Sequence, residues 1–109
     1  MSDWVPDRGE IIWINFDPQA GREQGGHRPA LVLSSRDYNG KVGLLVCVPL
    51  TTRIKDYAFE VPIAGEPSAV ALADHVKSID WRARKARKKA FASETELATV
   101  QARVRRLLE

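Results

Sequence analysis

The sequence predicts a mainly β (α+β) protein, a small, strongly bent antiparallel sheet or barrel with one C-terminal amphipathic helix. Three observations predict it. Short apolar runs recur at close spacing along most of the chain, divided by Gly, Pro and Asx signals, as in small all-β domains. Helical periodicity then takes over at the end, behind a capping box at Ser93-Glu94-Thr95-Glu96. With 109 residues there is enough chain for one core and not two, so residues 1–109 read as a single domain.

Each element has its own signal. Glu10 to Phe16 reads as a first strand that Asp17-Pro18 ends, Pro29 to Ser34 as a second, and Val42 to Val48 as a third. Asn39-Gly40 between the last two is a strong turn dipeptide, with Tyr38 before it in a short helical turn. Tyr57 to Ile63 alternates weakly and gives a fourth strand. Val70 to Ala73 and Val76 to Ile79 form one bent strand or two short ones, closed by Trp81. A basic connector leads to a short strand at Ala90 to Ala92. Leu97, Val100, Val104, Leu107 and Leu108 recur at helical spacing, so about 93–108 is a helix whose apolar stripe docks on the sheet.

Composition excludes several classes. The hydrophobic share of 44% and charged share of 28% are those of a globular domain, and no apolar run is long enough for a membrane helix. The N-terminal residues lack the basic and apolar regions of a secretory signal, and a single cysteine, Cys47, permits no internal disulfide; a cytoplasmic location is expected. Cys47 sits in an apolar run and reads as a small core residue. The net charge of +3 is unevenly spread: Arg82, Arg84, Lys85, Arg87, Lys88 and Lys89 put six cations in eight positions. Such a run can hold a polyanion by displacing counterions; a solvated surface or an acidic protein partner are the alternatives.

The chemistry concentrates in Gly21-Arg22-Glu23-Gln24-Gly25-Gly26-His27-Arg28-Pro29, a loop between two apolar runs. Arg28 before Pro29 is biased to extended backbone at the mouth of the second strand. Thr51 and Thr52 end the third strand. If these strands pair antiparallel, Arg28 and Thr51 fall at the same end of the sheet and can converge on one phosphate, the guanidinium as a fork and the hydroxyl as a further donor. A solvated hairpin loop is the plain alternative, and for Thr52 simple strand termination is the better account. The two histidines, His27 and His75, have no zinc-ligand spacing, so neither a metal nor another cofactor is expected.

The same residues carry a family resemblance. Asp17-Pro18 through Gly21-Arg22-Glu23-Gln24-Gly25-Gly26-His27-Arg28-Pro29-Ala30 resembles the signature loop of the MazF/PemK/Kid toxins, and Val48-Pro49-Leu50-Thr51-Thr52 and Ala71 to Asp80 are similar to two further blocks of that family, in register over nearly the whole chain. The resemblance implies an SH3-like barrel of the CcdB/PemK type that dimerises around a groove for single-stranded RNA. It implies a sequence-specific, metal-independent endoribonuclease acting on messenger RNA, held in check by a cognate acidic antitoxin, and bound to operator DNA only through the antitoxin complex. It maps an essential arginine onto Arg28, an essential threonine onto Thr51 and a loop glutamate onto Glu23. Arg22 stands where serine is usual and His75 where glutamine is usual, so base preference is not transferred.

Physical chemistry fits this assignment. RNA carries its own nucleophile, and Arg28 and Thr51 suit stabilisation of a crowded dianionic phosphorane-like state. Arginine is a poor general base; Glu23, with or without His27, is the easier proton acceptor, although the resemblance implies a part for Arg28 in proton transfer. Phe16, Arg22, Gln24, His27, Asn39, Thr52, Lys55, His75 and Lys77 are candidates for holding splayed bases or phosphates, with Phe16 equally placed for the core. Trp13 is expected to pack. The rivals are a gyrase-directed protein poison like the CcdB toxins, which share the fold but have no need of the Arg28 and Thr51 pair, and a non-catalytic nucleic-acid-binding module built on the basic run.

Overall fold

In the computed structural model, residues 3–17, 26–65 and 67–109 are described. Among the described residues, seven strands, β1 (Glu10–Asn15), β2 (His27–Val32), β3 (Leu44–Thr51), β4 (Glu60–Ile63), β5 (Ala69–Leu72), β6 (Lys77–Asp80) and β7 (Arg87–Phe91), are joined by α1 (Arg36–Val42) after β2 and closed by α2 (Glu94–Leu107). All pairings are antiparallel, in the order β4-β5-β3-β2-β1-β7. β3 is the spine. One edge pairs with β2, and its other edge is shared, β6 lying along Leu44–Cys47 and β5 along Leu50–Thr51.

The central strands are covered on both faces, which is why they read as continuous apolar runs rather than clean alternations. Ile11, Leu31, Val48 and Leu50 pack with Val61, Ile63, Ala71 and Val100 beneath α2. Their neighbours Ile12, Ile14, Ala30, Val32, Leu45 and Cys47 face the other way, against Phe16, Ile79 and Trp81. The capping box holds: Ser93 Oγ accepts from the Glu96 N–H, and the Glu96 carboxylate accepts from the Ser93 N–H and the Ala64 N–H. No helix among the described residues is long and apolar enough to cross a membrane.

Two local expectations are corrected. Asn39-Gly40 lies inside α1 instead of forming a hairpin turn, because Ser35 caps the helix and Gly43, at φ 82°, supplies the left-handed stop. The Asn39 side chain is fully buried, accepting from Ser34 Oγ and donating to the Pro6 and Ser34 carbonyls. The basic run is also more than a connector. After a turn at 81–85, with Lys85 at φ 58°, it becomes β7, which pairs with β1 through an irregularity between Ile11 and Ile12. β5 and β6 are two short strands, not one.

Candidate functional site

The glycine-bearing loop is fixed at its neck. The Phe16 N–H donates to the Gly26 carbonyl at 2.8 Å, and the Gly26 N–H donates to Asp17 Oδ1 at 2.6 Å, with Gly26 at φ 79°. The Arg84 guanidinium spans two carbonyls on the same side, donating to Asn15 O at 3.1 Å and Asp17 O at 2.7 Å. Residues 18–25 lie outside the described residues, and with them the expectations for Arg22, Glu23 and Gln24. The neck still determines how the chain enters β2, and so where Arg28 begins.

Arg28 pairs with Ile14 of β1. On its other side β2 meets β3 at Ala30↔Pro49, Leu31↔Val48 and Val32↔Cys47. Continued two residues past Ala30↔Pro49, that register sets Arg28 across from Thr51, at one end of the sheet. Side chains alternate along a strand, so Arg28 shares the face of Ala30 and Val32, and Thr51 that of Cys47 and Pro49. It is one face, that of the Phe16 and Trp81 cluster. Lys77 belongs to it as well: it pairs with Cys47, and its Nζ lies 5.8 Å from the centre of the Phe16 ring. Arg28, Thr51 and Lys77 are each half-buried. Thr51 Oγ1 accepts from the Arg53 N–H at 3.1 Å, which fixes the oxygen and leaves its proton to be donated.

The remaining candidates separate. Phe16, 3% exposed, is a core residue and offers no face to a base, and Asn39, buried with its amide satisfied, is structural; both are removed from the substrate-binding set. Thr52 and Lys55 are exposed, the Lys55 N–H being held by the buried Glu60 carboxylate. His75 is half-buried with Nε2 3.9 Å from Asp74 Oδ1, the same oxygen that accepts from the Tyr57 hydroxyl at 2.7 Å. Burial and that hydrogen bond to Asp74 push the Tyr57 phenol well above its ordinary range, so it stays a neutral donor. Burial likewise pushes the Cys47 thiol up to about 12, as befits a core residue and not a nucleophile. His27 lies on the face opposite Arg28, its ring stacked with the half-buried Trp13 at 5.7 Å between centroids and 8° between planes. It therefore points away from the Arg28 phosphate position and does not fit a shared base role there.

Sequence reasoning missed the Asp17 and Arg84 clamp. Asp17 reads from the sequence as a strand end and as the first residue of the signature loop, and Arg84 is one of six similar cations in a run, with no local signal that sets it apart.

A small antiparallel β half-barrel with a C-terminal helix, bearing a cationic and hydroxyl pair at one sheet end, defines a class that known proteins make specific. Residues 7–108 match the model of the PemK-like, MazF-like toxins of type II toxin–antitoxin systems. The chain is 52% identical to the endoribonuclease toxin MazF of Escherichia coli K12, over 99% of this chain and 98% of that one, and 34% identical to the endoribonuclease toxin ChpB of the same organism, over 94% of each. The crystal structure of MazF from Deinococcus radiodurans superposes with a TM-score of 0.93 at 51% identity, covering 97% of this chain and 98% of that chain. A chain of a MazE–MazF crystal structure from the same organism matches with a TM-score of 0.85 at 45% identity, covering 97% of each chain. The chain belongs to the PemK-like, MazF-like toxin family.

Proposed function

We propose that Arg28 and Thr51 form the centre at which this protein cuts single-stranded RNA. The protein is an endoribonuclease toxin of a type II toxin–antitoxin system, the activity and system of its relatives. The observation that supports the site is the β2–β3 register, which, continued two residues, puts Arg28 and Thr51 at one end of the sheet and on the same face. The RNA 2′-oxygen attacks the adjacent phosphorus while the bond to the 5′-oxygen breaks. The 2′-hydroxyl proton passes to a base, for which Glu23 is the candidate, and a proton is returned to the departing 5′-oxygen. Arg28 and Thr51 donate to the non-bridging oxygens as charge accumulates on them, where a fixed donor accelerates the step most. Products are a 2′,3′-cyclic phosphate and a 5′-hydroxyl, and no metal takes part.

Lys77, on the same face, lies within the substrate path, and His75 and Lys55 at its margin; Arg22, Gln24 and Thr52 complete the set that reads bases. The working unit is a homodimer in the cytoplasm. An antitoxin is the expected partner, as a relative is found in MazE–MazF structures, and the proposed contact is an acidic segment of it on the cationic face. Operator DNA is met only through that complex. The decisive experiment incubates purified protein with a long single-stranded transcript in the presence of a chelator and analyses the cut ends. Discrete cuts with cyclic-phosphate ends are expected; cutting that the chelator abolishes, or ends of the opposite polarity, defeats the mechanism.

A further inference from the structure

The face of the sheet turned away from Arg28 carries a second cationic and aromatic surface. Trp13 and His27 lie there because their neighbours Ile12, Ile14 and Arg28 point to the other face. The two rings form a nearly parallel stack, with His27 exposed as the outer member. Arg87 of β7 sits directly across from Trp13, and Lys89 Nζ lies 5.1 Å from the Trp13 ring centre. Both side chains are exposed, and neither is in an ion pair among the described residues.

We propose that the His27–Trp13 stack, flanked by Arg87 and Lys89, is an anchoring subsite for a nucleotide that flanks the cleaved linkage of single-stranded RNA. It rests on the reading of the chain as a ribonuclease and adds to it a place where RNA is held without being cut. The outer face of His27 offers a flat ring backed by indole, on which any base can stack. Arg87 and Lys89 supply the phosphate contacts beside it. The surface favours nucleic acid over an acidic peptide because carboxylates would use the cations but not the exposed ring. His27 and Arg28 are consecutive, about 3.3 Å apart along the strand, so RNA crossing the end of β2 engages the anchor on one face and the cleavage centre on the other. Recognition here is sequence-tolerant and lengthens the footprint beyond the bases read at the site.

The test measures binding of a fluorescein-labelled single-stranded RNA, 2′-O-methylated throughout so that it has no nucleophile, by anisotropy over a range of salt. Four proteins are compared: the native chain, His27→Ala, His27→Phe, and Arg87→Gln with Lys89→Gln. His27→Ala is expected to weaken binding about tenfold, within the range for loss of one base–aromatic stack, while His27→Phe stays within about twofold of the native chain. The double variant is expected to flatten the slope of log affinity against log salt by about 1.4, two phosphates at roughly 0.7 each. Native affinity and slope in His27→Ala and the double variant overturn the proposal, as does His27→Phe binding as weakly as His27→Ala. Polyglutamate displacing the RNA from the native chain but not from the double variant, with His27→Ala neutral, also overturns it and assigns the surface to acidic peptides. If the native chain cuts no transcript yet these binding differences hold, the ribonuclease reading falls and the anchor stands.

Discussion

At the scale of single residues, charge and hydrogen-bond supply decide what each side chain does. Arg28→Ala removes the proposed donor to the developing charge, and cleavage is expected to fall by about 10²–10³-fold or more, with the thermal midpoint unchanged; single-turnover assays beside a melting curve check both. Thr51→Ser is expected to keep most activity and Thr51→Val to lose it, since only the former retains the hydroxyl. Asn39→Leu has the opposite profile: it leaves the Pro6 carbonyl and its partners unsatisfied inside the protein and is expected to destabilise by about 1–3 kcal/mol, read from urea midpoints. Arg28 and Thr51 were legible from the sequence because strand ends and a pairing rule sufficed to bring them together. Asn39 was not. As a turn-former it carries a strong local preference, and only the distant Pro6 carbonyl and Ser34 reveal that it serves the interior instead.

At the scale of elements, the boundaries follow the capping chemistry. Helix α2 was readable to within a residue because Ser93 and Glu96 announce its start and the apolar stripe continues unbroken to Leu107. Helix α1 was legible only as a short helical turn at Tyr38, because it is short and its turn dipeptide outweighs its cap in any local reading; Gly43 is the residue that ends it. Gly43→Ala is therefore expected to cost about 1–2 kcal/mol, the penalty of placing a β-carbon in the left-handed region, measured by chemical denaturation. Burial tends to raise the Glu96 pKa, but hydrogen bonds from the Ala64 and Ser93 N–H groups outweigh it and hold the carboxyl below its ordinary value. A carboxyl depressed in the folded state binds fewer protons there than when unfolded, so its contribution is complete above the ordinary pKa of 4.5 and is lost as pH falls through the lower folded value. Glu96→Gln is expected to remove that part of the acid dependence, and a pH series of melting temperatures for both proteins displays it.

At the scale of the whole molecule, β1, β2 and β3 serve two cores at once, one under α2 and one on the opposite face. Losing either core strips a face from the same three strands, so unfolding is expected to be a single cooperative step, with near- and far-ultraviolet circular dichroism transitions coinciding. This also accounts for what sequence alone leaves open. Runs covered on both sides lose the alternation that would tell one face from the other, so the strands were visible while their inward and outward sides were not.

Strand β7, at one end of the strand order, has one hydrogen-bonding edge that no other strand among the described residues occupies, and it carries Phe91 at 72% exposure. Such a rim is an invitation to stick to a second copy, and lysines and arginines are a common guard against it. The same charges would then keep the molecule dispersed as well as attract a polyanion. Exchanging them for glutamates would preserve solubility while repelling nucleic acid, whereas exchanging them for uncharged β-formers would invite fibrils, so the sign of the charge and its mere presence do separate jobs at this rim.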